Sequence, residues 1–183
     1  CALGDYTAKR AGRLTLNPLR SVDITGLLAM VLVGFGWAKP VPVDMRRFKD
    51  PKAGMAVTAL AGPVMNFLIA VVFLFLYGAC FRVVDVSGGI GPRILQMIGY
   101  TAYLSLALGV FNLIPVPPLD GSKVVFSLLS DAAYEKLMRI ERYGMIILVV
   151  LALTGATSGF INTVTGWVYD KLFVIAEFAY DLI

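Results

Sequence analysis

AGMAVTALAGPVMNFLIAVVFLFLYGACF, residues 53–81, runs for 29 residues without a charged side chain. About 20 apolar residues in a helix cross the hydrocarbon of a bilayer, so this run is long enough to span it with some tilt. Working outward, the chain alternates between such runs and short charged segments. Before it, residues 1–52 are basic (Lys9, Arg10, Arg13, Arg20, Lys39, Arg46, Arg47, Lys49, Lys52), with one apolar segment at 24–38. That segment has only 15 residues and is basic on both sides, which suits a short re-entrant or tilted piece better than a full crossing. After it, a loop holding Gly88, Gly89 and Gly91 leads to a second uncharged run at 94–119 and, beyond a charged amphipathic stretch at 120–142, a third at 143–169. The tail 170–183 mixes Phe and Tyr with acids and suits an interfacial position.

The expected architecture is an all-α integral membrane protein forming a single membrane domain over 1–183. It has about three full transmembrane helices (53–81, 94–119, 143–169), a cytoplasmic-side helix at 120–142, and small extended pieces near the cytoplasmic face. The extended pieces fall around Thr15-Leu16-Asn17-Pro18 and at Trp37–Asp44, where Pro40 and Pro42 exclude a helix. Bulk composition agrees. Hydrophobic residues make up 58% of the 183 and charged residues 15%, against about 25% charged in ordinary soluble domains. Mean hydropathy is +0.81. The formal net charge of +4 resides in short loops between apolar runs, as the positive-inside tendency places it. No basic–aromatic interleaving of the kind that stacks nucleic-acid bases accompanies it, so nucleic acid is not an expected partner. Cys1 and Cys80 are the only cysteines and do not suggest a disulfide. Residues 1–20 lack the apolar core of a signal peptide, and the opening CALGDYTAKR reads like mid-protein sequence, so the chain is expected to be a piece of a longer one.

Two stretches could carry chemistry. The first is Asn112-Leu-Ile-Pro-Val-Pro-Pro-Leu-Asp120-Gly121, in which three prolines forbid regular helix just ahead of a carboxylate. Irregular backbone at membrane depth survives only where protein or water satisfies it, and an ionisable group there points to function. Metal ligation suits it, because a divalent cation offsets the carboxylate's charge; a turn at the membrane surface is the plainer alternative. The second is Ala61-Gly62-Pro63 with Asn66 one turn later. The amide could bind a substrate backbone or an oxyanion, or could simply join helices. Paired broken helices also occur in transporters, so these residues indicate a polar intramembrane cavity without choosing its reaction.

In this order and spacing the residues resemble the site-2 protease family of intramembrane zinc metalloproteases, in its smaller bacterial and archaeal branch. Leu3-Gly4-Asp5 with Gly12–Pro18 is similar to the family's stretch after its zinc helix, and Phe35–Val43 to its extended segment beside the site. Ala61-Gly62-Pro63 with Asn66 is similar to its Gly-Pro motif, and Asn112–Gly121 to its third-ligand motif. The resemblance covers roughly residues 3–130. It implies Asp120 as a zinc ligand, completing a site whose two His and general-base Glu come from an H-E-x-x-H helix. Asn66 and Asn112 are implied to bind substrate or the tetrahedral intermediate. The reaction would be hydrolysis of peptide bonds in or near transmembrane helices of membrane protein substrates, with zinc activating water.

The chain contains no histidine. On its own it is therefore expected to be inactive and to hold no zinc tightly, since a catalytic site takes three protein ligands. The expected setting is the bacterial or archaeal inner or plasma membrane with the site on the cytoplasmic side; a homo-oligomer is compatible with the sequence. Two other classes compete. One is a non-catalytic membrane binding protein of the same fold, a pseudoprotease, which requires that no H-E-x-x-H segment accompany these residues. The other is a transporter subunit using Asp120 as an ion or proton site, which requires Asp120-dependent flux.

Overall fold

The computed structural model describes residues 3–15, 17–33, 36, 38–39, 41–84, 88–155 and 157–182. Among them every regular element is helical and no strand forms. The chain divides after Met55 into two compact units.

In the first unit, α1 (Thr7–Arg10) and α2 (Ile24–Val33) are linked by turns. Asn17 accepts the Leu19 N–H at 3.0 Å where Pro18–Arg20 makes a single 3-10 turn, the turn expected at Asn17-Pro18. Asp23 Oδ1 caps α2 by accepting the N–H groups of Thr25 and Gly26 at 2.9 and 3.1 Å. With ten residues, α2 is about 15 Å long, which agrees with a segment too short to cross. Leu16, Phe35, Trp37 and Pro40, all part of the expected extended pieces, lie outside the described residues, as does Cys1. Residues 41–44 are neither helix nor strand, as two prolines in the stretch dictate.

The buried anchor of this unit is Asp5, 6% exposed. Its carboxylate accepts N–H groups from Thr7 at 2.8 Å and from Asp44, 39 positions away, at 2.9 Å, and also the Thr7 hydroxyl. These donors, the Thr7 hydroxyl first, hold its pKa down to about 2 from an ordinary 3.8. Because the folded value is the lower one, Asp5 contributes stability above 3.8 and loses it as the pH falls through about 2. The amide shift of Asp44 is therefore expected to titrate with a midpoint near 2, and an Asp5→Asn substitution should remove that titration.

The second unit carries the long helices. α3 (Pro51–Val83), whose first turn belongs to the first unit, and α4 (Gly91–Asn112) are long and apolar enough to cross a membrane. Their buried stripes are rich in small residues: Ala59, Pro63, Ala70, Leu74 and Gly78 on α3; Ala102, Ser105, Leu106 and Gly109 on α4. The rest of α3 presents Val57, Val64, Met65, Leu68, Val72 and Leu76 outward. Small residues at the helix contact and large apolar ones outside are what lipid-facing helices require.

The expected third span is not one helix. α7 (Gly144–Thr154) stops where Gly155 takes a left-handed φ of +64°, and α8 (Ser158–Leu172) begins afresh. The two are about 17 and 23 Å long, each short of the roughly 30 Å hydrocarbon. The tail forms a further helix, α9 (Val174–Leu182), against α3: a Cβ on Gly78 would lie 1.9 Å from the Ala176 carbonyl oxygen. The 120–142 stretch likewise divides, into α5 (Asp120–Ser127) and α6 (Asp131–Ile140).

Candidate functional site

α4 ends at Asn112 because the next residues cannot continue it. Pro115, Pro117 and Pro118 lack N–H donors, and short turns replace the helix. Leu113 N–H still reaches the Gly109 and Val110 carbonyls, while Val116 donates to Ile114 at 2.8 Å and Leu119 to Val116 at 2.9 Å. The chain thus reverses within seven residues and starts α5 at Asp120.

Two glycines lock this reversal. A Cβ on Gly121 would meet the Leu113 carbonyl oxygen at 2.2 Å, and one on Gly144, the first residue of α7, would meet Pro118 N at 2.8 Å. The turn is packed on both sides by backbone that only glycine permits. Leu119 is buried beneath it, and Asp120 is left half-buried in the first turn of α5, where the helix N-terminus favours a carboxylate.

Asp120 faces the Gly-Pro motif of α3. A Cβ on Gly62 would lie 3.3 Å from Asp120 Oδ2, so the missing side chain there makes room for the carboxylate. Asn66, one turn further on the same face of α3, packs its Cβ 3.4 Å from where a Gly109 side chain would begin, with the Phe67 ring alongside at 3.2 Å. Asn112 lies three residues beyond Gly109 at the end of α4, half-buried. Asp120 on α5 thus approaches α3 at Gly62, and Asn66, one turn along α3, approaches α4 at Gly109. No hydrogen bond among the described residues joins the three side chains.

Two further residues, which the sequence reading did not single out, join the carboxylate's charge network. Lys123 Nζ lies 3.7 Å from Asp120 Oδ1 and 4.0 Å from Glu141 Oε1, so one ammonium is shared between two carboxylates. The Asp120–Lys123 spacing of i, i+3 on a helix is the signal that could have found the first contact. Burial pushes the Asp120 pKa up, and Lys123 pulls it part of the way back.

These residues do not by themselves compose a zinc site. Asp120 supplies the right kind of oxygen donor, but the described residues contain no group of three His, Cys, Asp or Glu placed to hold a metal ion. Cys80 is 18 residues beyond Gly62 on α3, about 27 Å along the axis, and cannot contribute.

The sequence profile of "Peptidase family M50" matches residues 83–155. The chain is 37% identical over 157 residues to "Putative zinc metalloprotease YwhC" of Bacillus subtilis (strain 168), covering 82% of this chain and 69% of that protein. It is 27% identical over 172 residues to "Putative zinc metalloprotease Rip2" of Mycolicibacterium smegmatis, covering 91% of this chain and 64% of the relative. The Rip2 protein of Mycobacterium tuberculosis is 26% identical over 171 residues, with the same coverage. The chain therefore spans about two thirds of the length of these relatives. No solved structure matches it significantly.

Proposed function

The chain belongs to peptidase family M50, the site-2 protease family, and from that membership we propose that it is the part of an intramembrane zinc metalloprotease that supplies one metal-binding carboxylate and the substrate-binding amides. The observation that carries this reading is the approach of Asp120 Oδ2 to Gly62, which joins the two motifs at one place between α3 and α5. In this role Asp120 donates an anionic oxygen to zinc. Asn66 and Asn112 offer amide N–H groups to the carbonyl of the scissile bond, where developing negative charge strengthens such bonds. The remaining metal ligands and the general base come from a histidine-bearing helix outside these 183 residues. The substrate is a transmembrane segment of another membrane protein, and the reaction is hydrolysis of a peptide bond at the cytoplasmic side of the membrane.

The test is zinc content and cleavage of a transmembrane peptide by the longer natural protein in detergent, before and after chelation. Zinc-dependent cleavage is expected, and Asn66→Ala is expected to lower kcat by about 10²-fold with the zinc content unchanged. A longer protein that retains no zinc yet still binds transmembrane peptides would replace the enzyme with a non-catalytic binding protein. If Asn66→Ala instead prevents folding, the amide joins helices and has no part in turnover.

A further inference from the structure

At the other end of α3, about 24 Å from Gly62 along the helix axis, lies a second feature unrelated to the Asp120 site. Where α9 meets α3, the absent side chain of Gly78 lets the Ala176 backbone close in. Beside that contact is a cavity of ≈ 430 Å³, open to the exterior and walled by the rings of Tyr77, Phe81, Phe173 and Tyr180. The rings are in mutual contact. Tyr77 lies 6.0 Å from both Phe81 and Phe173, and Phe81 lies 6.2 Å from Tyr180 in an edge-on arrangement. Glu177 and Asp181 complete the lining.

The charge pattern of this cavity is unbalanced. Glu177 and Asp181 are four residues apart on α9 and so share a face, an arrangement that repels. Neither forms an ion pair among the described residues. The nearby cation on α3, Arg82, donates to the Tyr180 carbonyl at 3.1 Å and stands 5.6 Å from the centroid of the Tyr180 ring, and among the described residues it pairs with neither carboxylate. Two unpaired carboxylates beside four electron-rich rings make a site for an ammonium group, since ring faces and carboxylates both attract cations. The volume lies in the range of small-ligand sites.

The location selects the source of that ammonium. Tyr-rich clusters at the end of a span sit at headgroup level, and this cavity lies at the Val83 end of α3, near the exposed apolar residues Phe75 and Leu76. We infer that this cavity binds the ammonium headgroup of a membrane phospholipid, with the acyl chains lying along α3. The inference stands on its own geometry and does not depend on the protease reading.

The test uses the detergent-purified longer natural protein and short-chain phospholipids, with bound adducts counted by native mass spectrometry. A phosphatidylethanolamine is expected to bind at least tenfold more tightly than a phosphatidylglycerol of equal chain length. The double substitution Glu177→Gln with Asp181→Asn is expected to erase the difference; both residues are exposed, and an unchanged circular-dichroism spectrum checks the fold. A phosphatidylcholine that binds as well as the ethanolamine lipid supports the inference, because ring faces need no N–H. Equal binding of the ethanolamine and glycerol lipids would overturn it, and that comparison needs no variant. Undiminished preference in the double variant would place the site elsewhere. Binding of free phosphoethanolamine as tight as that of the lipid would show a soluble amine site and overturn the lipid assignment.

Discussion

Asp120→Ala, made in the longer natural protein, is expected to abolish zinc retention and to lower kcat/KM at least about 10³-fold while membrane insertion and helix content stay intact. A metal ligand acts through several kcal/mol of transition-state charge stabilisation, and each 1.36 kcal/mol is a tenfold change in rate. The structure adds a reason why the fold should survive the change. Asp120 is half-buried with its pKa raised by that burial, so burial disfavours its charged form there. Its only ionic partner among the described residues, Lys123, is 3.7 Å away and shared with Glu141. The measurement is zinc per protein by elemental analysis, alongside cleavage of a transmembrane peptide and thermal unfolding. Normal cleavage by this variant would remove Asp120 from the site. An equal loss of activity and folding would make it structural.

The parts of the molecule legible in the sequence are those that hydropathy and proline chemistry control. Uncharged runs at 53–81 and 94–119 became α3 and α4. The three prolines did end the second helix, though at Asn112; an apolar segment without charges extends the hydropathy signal past the point where hydrogen bonding stops. The approach of Gly62 to Asp120 was not legible in either motif and is seen only in the fold. What stayed hidden was decided by backbone conformation and close approach. Residues 143–169 are uncharged throughout, so nothing in their hydropathy marks the left-handed Gly155 that divides α7 from α8. Lys123 approaches Glu141, in the turn just before α7, a contact that no local pattern marks. The aromatic cavity requires knowing that α9 returns to α3, a contact between residues about a hundred positions apart that no local pattern encodes.

Gly121→Ala should also be strongly damaging, although it adds one methyl group and touches no ligand. The new Cβ would stand 2.2 Å from the Leu113 carbonyl oxygen, 2.4 Å from its carbon and 2.8 Å from the Ile114 oxygen. All three are backbone atoms of a turn that also packs closely against Gly144 at Pro118, so none can rotate aside as a side-chain end would. The first turn of α5 must move away by about 1 Å to restore ordinary contact, and it carries Asp120 with it. Overpacking of this kind costs about 1–3 kcal/mol of stability, and a displacement of that size at a reacting group costs about 10² in rate. The expected signature is reduced zinc affinity and about 10²-fold lower turnover, partly rescued by excess zinc, because the ligand is displaced and not deleted. Gly166→Ala is the matched control. It lies inside α8 with nothing within 4 Å of the added Cβ, and a helix-interior glycine replaced by alanine gains about 0.5–1 kcal/mol. Equal effects of the two substitutions would mean that the close packing of Gly121 has no part in placing the carboxylate. A large effect at Gly121 alone, with zinc dependence shifted, would tie the proline turn to the position of Asp120.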